Sequence, residues 1–133
     1  MNFDFSIIFN KDALATLGEA YGWTLFIAVG ALLIGVILGT LLAICKVIPK
    51  TNIVAKILDK ISSVYVAIFR GTPLTVQLFI FYFVIFAGVT FFSASVTPYI
   101  IAVFGFGLNS AAYVSEIIRS GILSIDKGQM EAG

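Results

Sequence analysis

Polar side chains punctuate a long uncharged stretch: Arg70 and Glu116 stand at its edges, and Thr75, Gln77, Tyr82, Asn109, Ser110 and Tyr113 inside it. Between Gly71 and Ser115 there is no Asp, Glu, Lys or Arg. In hydrocarbon such groups find no water, so each must bond a neighbouring helix or face a wet cavity. For Gln77 and Asn109 both uses stand open, a hydrogen bond between helices or contact with a polar solute. An arginine at the bilayer centre costs roughly 2.5–3.5 kcal/mol, so Arg70 snorkels to an interface or faces a polar interior. It adjoins Gly71-Thr72-Pro73, and helices interrupted in this way line transport pathways. Glu116 and Arg119 lie one helical turn apart, and their simplest reading is a helix end at the interface. The residues able to line a polar path are therefore Arg70, Thr72, Gln77, Asn109, Tyr113 and Glu116, with Gly71 and Pro73 marking a structural break.

Other chemistries lack their parts. Histidine is absent and Cys45 is the only cysteine, which removes His-based triads, most zinc sites and the commonest general base. No carboxylate pair falls in the middle of an apolar run, so neither catalytic nor metal-binding residues are expected. Gly30 and Gly35 have the spacing of a phosphate-loop glycine pair, but Val36 and Ile37 follow where Lys and Ser or Thr are needed. Gly105-Phe106-Gly107 lacks a third glycine. The chain is expected to bind no nucleotide or other cofactor. It has no basic face for nucleic acid.

Positioning falls to helices in a membrane. Hydrophobic residues make up 60% of the 133 and charged residues 11%, against about 45–50% and about 25% in soluble domains. From Ala20 to Cys45 no residue is charged, and these roughly 26 residues would reach ~39 Å as a helix, enough to cross a core of about 30 Å with some tilt. Tyr21 and Trp23 stand at its start as an aromatic belt would. Gly35 and Gly39 within it have the small-xxx-small spacing of a close helix contact. The segment from Met1 has no basic n-region, so no cleaved signal peptide is expected.

Beyond Pro49 the pattern turns amphipathic. Ile53, Val54, Ile57, Leu58, Ile61, Val64, Tyr65 and Ile68 form one stripe, and Lys56, Asp59, Lys60 and Ser63 the opposite face. That predicts an interfacial helix. Thr72 reads as an N-cap and Pro73 as the first position of the next helix. The uncharged run from Gly71 would be ~68 Å as one helix, roughly twice the bilayer, so it must fold back, most simply between Gly88 and Pro98. The expected fold is an all-α membrane protein of three transmembrane helices, near 20–45, 72–90 and 98–118, plus the interfacial helix. Lys46, Lys50, Lys56, Lys60 and Arg70 follow the first span, and Arg119 and Lys127 the third. Positive charge stays cytoplasmic, which places the N-terminus outside and the tail inside.

Two segments carry a family resemblance. Phe69-Arg70-Gly71-Thr72-Pro73-Leu74-Thr75-Val76-Gln77-Leu78 resembles the FRGTPLLVQL signature of polar amino-acid permeases of ATP-binding cassette (ABC) importers. Tyr113-Val114-Ser115-Glu116-Ile117-Ile118-Arg119-Ser120-Gly121-Ile122, followed by Ser124 to Gly133, is similar to their YVAEIIRGGI…SIPKGQWEAA segment. The resemblance covers the chain from Tyr21 onward. It implies a type I importer permease, not itself an enzyme, in a bacterial cytoplasmic membrane. The implied partners are paired ATPase subunits that hydrolyse ATP, a second permease subunit (identical or not), an extracytoplasmic solute-binding protein and a polar amino acid as substrate. It also implies a coupling segment over 120–133, in which Gly128, Gln129, Met130, Glu131, Ala132 and Gly133 dock on the ATPase.

The pattern departs in two places. Asp126 stands where the family has Pro, and Gly133 replaces the second Ala of the EAA triplet, which lowers helix propensity by about 1 kcal/mol. Family members continue through two more spans, so the resemblance implies the N-terminal part of such a permease. The alternative expectation is a truncated or non-transporting assembly or regulatory subunit built from the same motifs.

Overall fold

The computed structural model describes residues 10–88 and 93–125. Its elements are α1 (Lys11–Val47), α2 (Ile53–Gly71), α3 (Leu74–Ile80), which runs on as a π-helical turn over Phe81–Ile85, and α4 (Thr97–Leu123). The described residues contain no strand.

Helix α1 has 37 residues, about 56 Å at 1.5 Å per residue, so it extends past the expected span on its N-terminal side. It ends where the sequence forces it to. Ile48 precedes Pro49 and takes φ −54°, ψ 141°, the extended geometry that a following proline imposes. Helix α2 then begins at a capped end, the Asn52 Oδ1 accepting from Ala55 N at 2.8 Å. Lys50 and Asp59 pair at 2.7 Å across this corner.

The next break has the same cause. Thr72 precedes Pro73 and is extended, φ −117°, ψ 143°. This corrects the expected capping. Thr72 closes α2, its hydroxyl donating back to Ile68 O at 2.8 Å, and Pro73 is the N-cap residue of α3, not its first helical residue. The two helices meet at 107°. The helical part of the second crossing runs Leu74–Ile85, inside the 72–90 expected. Gly88 then turns the chain at φ +78°, a conformation an L side chain adopts only under strain. Pro98 sits in the first turn of α4, where its missing N–H is harmless.

Helices α1 and α4 lie side by side and point the same way, because their contacts rise together. Trp23 stacks on Tyr99 with ring centroids 4.1 Å apart and planes within 6°. Gly30 meets Val103, Gly35 meets Ser110, and Gly39 meets Val114. The α1 glycines are thus used against α4 of the same chain, and Gly107 returns the favour by admitting Ile34. Two parallel helices require the chain between them to come back across. Helix α3 does so beside α4, with Leu78 against Gly105 and Tyr82 and Phe83 sharing a cavity with Pro98 and Ile101.

Helices α1 and α4 are each long and apolar enough to cross a membrane, and the bent pair α2–α3 supplies a third crossing if counted as one span. The outward side chains agree. Leu32, Leu33, Val36, Ile37, Phe79, Phe83 and Ile117 all lie exposed, far more apolar surface than a soluble fold leaves uncovered. Helix α2 buries the small face of Ala55, Ser62 and Val66 and leaves its amphipathic stripe open, as an interfacial helix does.

Candidate functional site

The α2–α3 break is held by one amide. Breaking a helix leaves its last carbonyls without intrahelical donors, and Gln77, 6% exposed, fills that gap. Its Nε2 donates to Phe69 O at 2.8 Å, to Thr72 O at 3.0 Å and to Thr72 Oγ1 at 2.8 Å. Gln77 and Thr72 are therefore engaged with the backbone and each other. The Gln77 Oε1 is buried without a partner among the described residues. Beside it lies an apolar cavity of about 240 Å³ lined by Ile68, Val76 and Phe81.

The charged residues gather next to that break, at the shared end of α1 and α4. Glu116 takes Lys46 on Oε1 and Arg119 on Oε2, with Arg119 Nη2 at 3.0 Å and Nε at 3.1 Å. Arg70 approaches Oε2 only to 3.9 Å. Its guanidinium lies 5.3 Å from the Tyr113 ring centre, within range of a cation–π contact. The expected Glu116–Arg119 pair is present, but it is half of a larger cluster that ties α1, α2 and α4 together. Lys46 was not among the candidates from sequence. Its only local signal is a basic residue in the last turn of a helix, and its partner lies 70 residues away.

Asn109 stands apart. It is half-buried near the middle of α4, and no hydrogen bond reaches its amide among the described residues. At the preceding residue, Tyr65 of α2 donates to Leu108 O at 2.7 Å, a tie with no signal in the sequence.

The structure thus brings Arg70, Tyr113 and Glu116 together, places Thr72 and Gln77 at the break with Gly71 and Pro73, and leaves Asn109 separate. Gly128, Gln129, Met130, Glu131, Ala132 and Gly133 lie outside the described residues.

Comparison with known proteins places this geometry in context. No family model matches the chain. It is 47% identical over 109 residues, 82% of its length, to a protein named as a glutamine transport system permease, GlnP, of Rickettsia typhi, of which the match covers 46%. It is 42% identical over 132 residues to the arginine transport system permease protein ArtQ of Bacillus subtilis, covering 99% of this chain and 56% of that protein. The L-cystine transport system permease protein TcyB of the same organism is 39% identical over 137 residues, covering 93% of this chain and 56% of its own. Among solved structures, an amino acid ABC transporter crystallised with histidines superposes with a TM-score of 0.65 at 29% identity, over 99% of this chain and 56% of that one. The chain spans about half the length of the curated relatives it matches.

Proposed function

We propose that this chain, a relative of the amino-acid ABC transport permeases over 82–99% of its length, forms part of the transmembrane path by which a polar amino acid crosses a bacterial cytoplasmic membrane. The observation that carries the reading is the coincidence of sequence likeness with a helix broken at Gly71-Thr72-Pro73 and braced by Gln77. Discontinuous helices of this kind line the sites where transporters hold polar solutes. Relatives named for glutamine, arginine and cystine transport support a polar amino acid as the solute class.

Among the candidate path residues, Asn109 is assigned the solute contact. Its amide has no hydrogen bond among the described residues and lies near the middle of α4, hence near the bilayer midplane. Thr72 and Gln77 shape the break, and Arg70 beside it joins Tyr113 and Glu116 in holding the helices at the charged end of the path. The chain itself binds no nucleotide in this reading. Separate ATPase subunits hydrolyse ATP, a second permease subunit completes the path, and a solute-binding protein delivers the amino acid from outside. The end of α1–α4 that carries Lys46 and Arg119 faces the cytoplasm, following the positive charge. The tail after it then reaches the ATPase through Gly128 to Gly133.

Capture of the cognate ATPase from detergent solution tests this. The unaltered chain is expected to retain the ATPase and Glu131→Ala to lose most of it. Equal capture by both would remove the docking role of the tail. In the assembled importer, Asn109→Ala is expected to raise the KM for uptake several-fold with little change in ATPase capture, and an unchanged KM would remove Asn109 from the path.

A further inference from the structure

Three cationic side chains crowd one carboxylate at the shared end of α1 and α4. Lys46, Arg119 and Arg70 all lie within 3.9 Å of Glu116, and no other acidic group pairs with them among the described residues. Among the described residues two positive charges are therefore left over. Lys46 and Arg119 occupy the two carboxylate oxygens. Arg70 is the residue left short of a counter-charge, held at 3.9 Å with 44% of its side chain exposed.

Arg70 borders a concavity of about 430 Å³ whose other walls are Tyr113, Glu116, Ile117 and Ser120. The Ser120 hydroxyl has no partner among the described residues. The site therefore offers a guanidinium and a hydroxyl donor for an anion's oxygens. Ile117, 70% exposed, offers a greasy outer wall beside them. Ser120 lies three residues from the end of α4, about 5 Å along the axis, and Tyr113 ten residues, about 15 Å, so the concavity opens at the helix end that also carries Lys46 and Arg119. A phosphate held there has the outer face of α4 beside it for its acyl chains.

We propose that the Arg70–Ser120 concavity binds the phosphate of an anionic phospholipid. The inference stands whether or not the chain takes part in transport, since it needs only the three-helix arrangement at this end. Basic pockets between spanning helices are suited to such headgroups, and the leftover charge favours an anionic lipid over a zwitterionic one.

Native mass spectrometry of the purified chain in detergent decides it. The chain is offered phosphatidylglycerol or phosphatidylcholine with the same acyl chains. Phosphatidylglycerol is expected to be retained about tenfold more, as two uncompensated charges near a headgroup would give at least. Arg70→Gln is expected to abolish the preference, while Lys50→Gln, which removes a charge paired with Asp59 at the same end, keeps it. Equal retention of the two lipids by the unaltered chain overturns the proposal without any variant. So does equal loss in Arg70→Gln and Lys50→Gln, which would mean general surface charge. Displacement of the lipid by millimolar inorganic phosphate would identify a site for a soluble anion and likewise overturn it.

Discussion

Gly39 of α1 and Val114 of α4 approach so closely that a Cβ on the glycine would stand 2.7 Å from the valine Cβ and 2.9 Å from Ala111 O. One of those neighbours is backbone and cannot swing aside. Gly39→Ala is therefore expected to destabilise the helix pair by about 1–3 kcal/mol through overpacking. Gly22→Ala on the same helix meets nothing within 4 Å, and is expected to be neutral or to stabilise by up to about 1 kcal/mol. Unfolding in mixed micelles with rising detergent denaturant measures both. Equal effects would mean that α1 and α4 do not pack through these glycines.

Gln77→Leu keeps the volume but removes the donor that serves Phe69 O and Thr72 O. Losing bonds to these part-buried acceptors costs about 1 kcal/mol, and the bend they fix should widen into a range of angles. Distances between spin labels at Lys60 and Tyr82 would show it as a broadened distribution. A distribution as narrow as that of the unaltered protein would show that Pro73 alone sets the 107° turn.

The members of the Glu116 cluster should rank in a definite order. Glu116→Ala leaves Lys46 and Arg119 without their counter-charge in a part-buried site and is expected to cost about 1–3 kcal/mol, between an exposed and a buried pair. Lys46→Ala follows, its side chain being 12% exposed. Arg70→Ala is expected to cost no more than about 1 kcal/mol, the range of an exposed pair. The same micelle unfolding ranks them, and a reversed order for Glu116 and Arg70 would contradict the cluster geometry.

The helices and their breaks were largely written in the chain. Proline accounts for two of the ends, at Ile48 and Thr72, because its ring acts on the residue before it, and charge accounts for which segments face lipid. The glycines of α1 announced a close contact without saying with what. Their partner is α4, and that follows only from the parallel arrangement, which depends on how far α2 and α3 carry the chain back. The size of the bend at Thr72 was equally out of reach, since a Gly-Thr-Pro sequence stops a helix without fixing the next direction. Gln77 was singled out for its amide, but its use had two readings until the orphan carbonyls of α2 were seen within its reach. Lys46 shows the commonest blind spot. A lysine after an apolar run looks like a solvated connector, and only tertiary structure brings it to Glu116.

The close seam between α1 and α4 has a mechanical consequence. Sliding one helix along the other would drive Val103 past Gly30 and Val114 past Gly39, so the two travel as a single rod. Helix α3, by contrast, is joined to α2 across an extended Thr72–Pro73 link, and what latches that joint is the hydrogen bonding of one amide. A change of shape in these helices therefore meets less steric resistance at the joint than along the α1–α4 seam.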